Sequence, residues 1–400
     1  MKLLNLDFNS DLKKQIKDNV CFETLQKLKL PNKSIEEFKR FDLNDIYETP
    51  YNLNYTSYSS IDPFEYLKME GFYYIFISNS QFLPQHSCIT EDVTFCQHQK
   101  NHNPSNNALY YLSETFLEQQ NQINIIASLD KPLLIVNLFK SDNSFVPTSL
   151  NINMGNRCKA DVVELFLSQN SGECFLNINR VINLKHKATL NYTKLEKFTS
   201  LDTTIFNFNS NLRKESNLNI VNLDYHAKKS LNLWDFYLKE ENISLKIDGI
   251  VNIDKNRQGA NIANIVHEAK NISSQFNIQH ILHDESKGLF EVKSTINKNA
   301  QYAKVIQSSK TTLLSDDARI NAQPRLQIYT DELEARHSAT TGAIDQEQLY
   351  YLKSRGIPHK KAIEMIIESF ESTILNKIDN DLIKEFVKSF KGKSDVQRVF

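Results

Sequence analysis

Five side chains between residues 86 and 102 could hold a metal: His86, Cys88, Cys96, His98 and His102. Thiolate and neutral imidazole are zinc donors, but zinc sites draw paired ligands from tight spacings so that four donors converge on one tetrahedron. Here the two cysteines are eight positions apart. His98 and His102 fall in Gln-His-Gln-Lys-Asn-His-Asn-Pro-Ser-Asn-Asn (97–107), a loop by composition. The spacing favours half-buried strand cysteines beside loop histidines over a zinc site. Cys158 and Cys174 stand alone within strand-like runs and Cys21 within a helical one, which is how small buried core thiols occur.

His337 is the stronger candidate. It sits in Asp-Glu-Leu-Glu-Ala-Arg-His-Ser-Ala-Thr-Thr-Gly, between the last strand run and the helical end of the chain. Imidazole binds iron and other borderline metals in its neutral form. The end of a strand array also offers an edge to a partner. Two readings stand for His337, a metal ligand or a hydrogen-bonded structural histidine. His267 and Glu268 look like an acid–base pair, but neighbours on a strand face opposite ways, so His267 reads as buried and structural. Asp316 and Asp317 follow a strand and read as a solvated turn.

The glycine count excludes another chemistry. At the average usage of about 7% a chain this long would hold roughly 28, and this one has 9. None are spaced for a phosphate-cradling loop, so a P-loop or dinucleotide-binding turn is not expected. Any ATP this protein depends on is expected to bind another chain.

These residues need elements to position them. Leu12, Ile16, Val20 and Leu25 predict a helix over 10–30, and a short helix is expected at 35–46. Tyr73–Ile77 predicts a buried strand, and Leu109–Phe116 a helix. From about 132 to 330 short apolar runs alternate with polar residues. Ile243, Leu245, Ile247, Val251 and Ile253 keep one parity around Gly249; Phe290, Val292 and Ile296 do likewise. Phe206/Phe208, Leu231/Leu233 and Phe276/Ile278 are further period-two pairs. The runs recur every 12–16 residues, as in stacked coils. Scarce glycine and abundant asparagine lean toward a β-helix, with asparagines stacking at its turns, over a hairpin-rich sandwich. Pro324 precedes an alternating strand whose Leu326 and Ile328 share a face. Asp345 predicts an N-cap and Gly356 a left-handed helix end. Ala362, Met365, Ile366, Ser369, Phe370 and Ile374 predict an apolar helical stripe. Asp381 opens a last helix carrying Leu382, Phe386 and Phe390.

Forty per cent hydrophobic residues allow a sizeable core, and a net charge of −1 gives no pull toward nucleic acid or an anionic membrane. The N-terminus has no apolar signal region and no long apolar run occurs, so neither export nor a membrane span is expected. Five cysteines without a framework point to reduced thiols and a cytoplasmic location.

The stretch Leu-Leu-Ser-Asp-Asp-Ala-Arg-Ile-Asn-Ala-Gln-Pro-Arg-Leu-Gln-Ile-Tyr (313–329), then His337, Ala339-Thr340, Gly342 and Asp345 through Ile357, resembles the SufB/SufD family of iron–sulfur cluster assembly proteins, on its SufD side. Leu30-Pro31 and Glu36-Glu37-Phe38-Lys39 match near the start, with Phe38 where the family usually has Trp. The resemblance implies a mainly β protein, a right-handed parallel β-helix flanked by α-helical N- and C-terminal regions. The expected division is 1–131 (mixed, partly helical), 132–342 (β-helix) and 343–400 (helical, docking an ATPase).

It also implies a function: a non-enzymatic subunit that pairs with a SufB-like paralogue through the β-helices and recruits a SufC-like ATPase through its C-terminal helices. A homodimer through the same edge is the expectation for the chain in isolation. No cofactor is expected to stay on the chain alone, and iron or a cluster would pass through the complex. Where the family commonly reads Cys-Ser-His-Gly-Ala-Thr, this chain reads Ala335-Arg336-His337-Ser338-Ala339-Thr340. The histidine remains and the thiol does not, so the resemblance implies that sulfur ligands come from the partner. The rival reading is a β-helix protein that cleaves or binds polysaccharide. A SufB-like identity would need a cysteine late in the strand core, and the last one here is Cys174.

Overall fold

The structure is a computed structural model and describes residues 20–53, 70–98, 105–117, 119–225 and 227–391. Strands β1 (Asn52–Leu53), β2 (Tyr73–Ser78), β3 (Gln81–Phe82), β4 (Val93–His98) and β5 (Gln120–Ile125) come first. Then follow β6 (Leu133–Phe139), β7 (Ser144–Met154), β8 (Lys159–Ser168), β9 (Cys174–Leu184), β10 (Thr189–Lys197), β11 (Asp202–Leu212) and β12 (Asn217–Asp224). The series ends with β13 (Lys229–Leu238), β14 (Ser244–Ile253), β15 (Gln258–His267), β16 (Ser273–Leu282), β17 (Lys287–Ile296), β18 (Ala303–Leu313), β19 (Arg319–Ile328) and β20 (Leu333–Ala343).

From β6 onward every pairing is parallel, odd strands with odd and even with even, so the chain alternates between two ten-stranded sheets. This is the stacked parallel solenoid that the sequence pattern suggested. Lys159, Thr189, Asn217, Ser244, Ser273 and Lys304 form one column, so one coil takes about thirty residues and each half-coil one apolar run. At the first end the ladders close with antiparallel pairs, β2 with β3 and β4 with β5.

The corners explain how so few glycines suffice. Arg157, Lys187, Glu215, Asn242, Asn271 and Tyr302 occupy one corner of successive coils, and all have left-handed φ, from 56° to 61°. Each donates its N–H to a carbonyl of the following coil, for example Arg157 to His186 at 2.9 Å and Asn271 to Gln301 at 3.0 Å. That inter-coil bond holds side chains in a region costing roughly 1–2 kcal/mol per residue. Asparagine plays a different part from the expected turn stacking. Its main ladder runs across the strands: Asn211 donates to Asn183, Asn183 to Asn153 and Asn153 to Asn124, at 2.7–2.8 Å. Parallel in-register strands set identical carboxamides one rung apart, which corners do not.

Ile243, Leu245, Ile247, Val251 and Ile253 line the interior with Phe206, Phe208, Trp234, Phe276 and Phe290, while Leu231 and Leu233 lie on the outer face of their strand. Gly249 is needed there, because a Cβ would stand 2.8 Å from Ile278 Cδ1 and 3.0 Å from the Asn222 carbonyl.

Helices cover the outer faces. The odd-strand sheet is covered by α1 (Val20–Leu28), α2 (Asn44–Glu48) and α3 (Ala108–Phe116). The helix expected over 10–30 is seen as α1; 10–19 lie outside the described residues, as do 99–104 of the expected loop. The helix expected at 35–46 is instead a 3-10 turn, Glu36–Phe38, with α2 beginning only at Asn44. Asp42 accepts the Asn44 N–H at 3.0 Å and breaks the run there. After β20 come α4 (Gln346–Ser354), α5 (His359–Leu375) and α6 (Asp381–Lys391). Asp345 caps α4 by accepting from the Glu347 and Gln348 amides, and Gly356 is left-handed at φ 82°. On α5, Ala362, Ile366 and Ile374 are buried, but Met365 and Ser369 face solvent while Glu371 and Leu375 turn inward. The helix packs on α4 at one end and on the even-strand sheet at the other, so its contact face shifts along its length.

Two ion clusters sit inside the solenoid. Arg180 Nε and Nη2 donate to Glu164 at 2.6–2.9 Å, and Asn137 and Tyr192 also donate to that carboxylate. One coil on, Lys194 contacts Asp224 at 2.5 Å and Glu196 at 3.1 Å, with its ammonium 3.7 Å from the Phe206 ring centroid. Burial, opposed by Lys194, pushes the Glu196 carboxyl above the usual carboxylate range. Removing one partner of a buried pair leaves an uncompensated charge. We therefore expect Arg180→Met to cost about 3–5 kcal/mol in urea unfolding. Adding Glu164→Gln should restore at least half of that loss, and a double variant no better than the single one would contradict the charge-burial account.

Candidate functional site: the open end of the solenoid

Both sheets finish at the same end, with β19 and β20 in the outermost positions. Every earlier coil is covered by the next, but this one is covered by none of the described residues. Its residues are half-exposed or exposed throughout, although the inner face is still built as a core face, from Ala322, Pro324, Leu326, Ala335 and Ala339. Tyr302, Ile306, Ile328 and Tyr329 are exposed apolar side chains around the same rim. A free parallel edge over uncovered apolar residues is a template for another chain.

His337 lies in the middle of β20. Its Cα pairs with that of Gln307, so it follows the inward parity of Val305, Gln307 and Ser309. With no further coil above it, the imidazole is exposed at the mouth of the interior. Arg336 takes the opposite parity and faces outward beside Ile306, so it does not share the face of His337. Ser338 donates to Ser308 at 3.2 Å on that outer face.

The other candidates separate in space. His267 is buried and its Nε2 lies 2.8 Å from Ser274 Oγ; burial pushes it down to about 4. Glu268 follows the last residue of β15. Cys174 faces the interior, bonded to the Ser141 carbonyl, and burial pushes its thiol up to about 12, too high for a thiolate nucleophile. Burial also raises Cys158, at a corner. Cys21 is buried on the inner side of α1. Cys88 is exposed and Cys96 is half-buried on β4; His86 closes a 3-10 turn, nothing is described of the His98 side chain, and His102 lies outside the described residues. Asp316 and Asp317 occupy an exposed turn. Among the described residues no three His, Cys, Asp or Glu side chains gather as a metal group.

Sequence reasoning missed His280. It faces the interior on β16, fully buried, edge-on to Phe290 at 6.3 Å, with neither ring nitrogen bonded. Its inward parity with Phe276 and Ile278 was the available signal. Burial pushes it down to about 3.

An uncovered coil, an exposed imidazole on it and helices packed along the side are the features by which the fold can be compared with known proteins. That comparison gives the fold its family. The SufBD core domain of the SUF system for FeS cluster assembly matches residues 137–370, more than half of the chain, and the chain belongs to that family. It is SufD-like. It is 24% identical to the iron–sulfur cluster assembly protein SufD of Escherichia coli over 250 residues, 61% of this chain and 57% of that protein. It is 34% identical to SufD of Bacillus subtilis over 122 residues, 30% of this chain and 28% of that protein. The matched stretches thus span little more than half of these relatives at most.

His280 sets a pH signature for the core. Its folded pKa is depressed, so below pH 6.5 the unfolded chain binds the proton and the folded chain does not, and stability falls as pH drops. Relative to the parent, His280→Leu should flatten the decline between pH 6 and 4 by up to about 1.4 kcal/mol per pH unit. Parallel curves from urea unfolding at each pH would show that His280 is not buried neutral.

Proposed function

We propose that this chain is a non-enzymatic scaffold subunit for iron–sulfur cluster assembly. It pairs its open end with a SufB-like paralogue and docks a SufC-like ATPase on its C-terminal helices. The uncovered coil carries this reading: β19 and β20 offer unsatisfied edges that a second solenoid of the same construction can continue. In the absence of the paralogue, a second copy can use the same edge.

Exposed apolar residues on the helices support the ATPase contact. Tyr350 is 73% and Tyr351 56% exposed on α4, and Met365 is exposed on α5. The buried side of the same pair, Leu349, Ala362 and Ile366, fixes their geometry. The scarcity of glycine supports leaving nucleotide binding to the partner.

At the seam His337 supplies one nitrogen ligand to iron, the cargo of the assembly. The paralogue supplies the thiolate, because this chain has Ala335 where a neighbouring thiol would stand. A lone imidazole holds iron weakly, so iron and cluster pass through the complex and do not reside on this chain. Placement in the cytoplasm follows from the same reading.

The test uses the three chains expressed together. His337→Ala should leave the complex assembled and abolish most anaerobic cluster loading. Ala339→Glu puts a charge on the inner face of the open coil and should abolish pairing while far-ultraviolet circular dichroism stays native. Full loading with His337→Ala removes the ligand role, and intact pairing with Ala339→Glu removes the end-on seam.

A further inference from the structure

Gln307 lies one coil beneath His337 and faces the same interior. It is 1% exposed. Its Nε2 donates to Ser294 Oγ at 2.7 Å and to the main-chain carbonyl of Arg325 at 3.1 Å. A carbonyl oxygen only accepts, so the Arg325 contact fixes which end of the carboxamide is nitrogen. Oε1 is left without a partner, although it is buried. Buried carbonyl oxygens are normally satisfied.

On its outer face the solenoid bonds part-buried carboxamides between rung partners. Asn183 donates to Asn153 at 2.7 Å, Asn219 to Asn191 at 2.8 Å and Asn264 to Asp235 at 2.9 Å, each pair in direct register. Gln307 and His337 are in direct register too, at the last rung, and the imidazole is exposed.

We propose that Gln307 is a positioning residue for His337: its Oε1 accepts one ring N–H and so selects the tautomer whose other nitrogen carries its lone pair toward the seam. Metal-binding histidines depend on such a bond from the ring nitrogen that does not bind metal. Ser294 and the Arg325 carbonyl hold the carboxamide in place. The inference rests on reading His337 as a ligand, but it concerns a bond within this chain that is measurable without metal or partner.

The experiment is 15N–1H spectroscopy of the histidine rings in the full chain at pH 8, with His337 assigned from the signals lost in His337→Ala. The parent should show one neutral tautomer and a slowly exchanging ring N–H at His337. Gln307→Met, close in shape but without the carbonyl, should give a tautomer-averaged, fast-exchanging ring. Ser294→Ala, which loosens the anchor and keeps Gln307, should move the signal the same way and serves if the methionine variant fails to fold. In the assembled complex Gln307→Met should lower iron retention by about tenfold or more without affecting pairing. Ring signals unchanged by both substitutions overturn the inference, whatever the cluster assay shows. A bonded ring lost on substitution upholds it, even where His337→Ala leaves cluster loading intact and the ligand reading falls.

Discussion

The backbone of a parallel coil is satisfied only by the coils before and after it. Each strand from β6 to β18 has a neighbour on both sides, and the corner amides of residues such as Lys187 and Glu215 reach to the next coil as well. A stack of this kind cannot satisfy its own last member. The first end escapes the problem by turning antiparallel, and Phe82 stacks on Phe95 at 3.9 Å there. Among the described residues the far end has no such device, and the functional reading follows from that asymmetry.

The rest of the molecule stiffens the stack behind that end. Apolar helices pack on part of the outer face of each sheet. Inside, aromatic rings alternate with ion clusters whose charges are paired and hydrogen-bonded. Trp234 stacks on Phe208 at 4.3 Å and donates to Asn261 at 3.0 Å. Toward the mouth the interior becomes smaller and more polar, through Ser294, Gln307 and Ser309 to His337. A side chain at the mouth can therefore be oriented by buried groups beneath it and still meet whatever docks on top.

The strand period was legible in the sequence because the interior imposes parity without exception on runs such as Ile243 to Ile253. The corners were legible only in part. Glycine scarcity argued correctly against hairpins, but nothing marked Arg157, Lys187 or Tyr302 as left-handed, since the compensating bond comes from a residue a whole coil later. Met365 and Ser369 joined the α5 stripe by spacing alone, whereas a helix spanning two supports follows a contact face that drifts. For the site, the pattern placed His337 at the end of the array. It could not show that the residue below it is Gln307 with a free oxygen, because register between coils depends on corner lengths that vary from turn to turn. His280 was hidden for a similar reason: a polar residue at an inward position looks like any other until its neighbours are known.

Hydrogen–deuterium exchange of the chain alone and mixed with the proposed SufB-like paralogue tests the central claim most directly. The account predicts fast exchange over residues 319–343 in the free monomer and strong protection of that stretch on pairing, with the amides of β8 to β16 slow in both. Equal exchange over 319–343 in the two states, or new protection confined to the helical flanks, would contradict it.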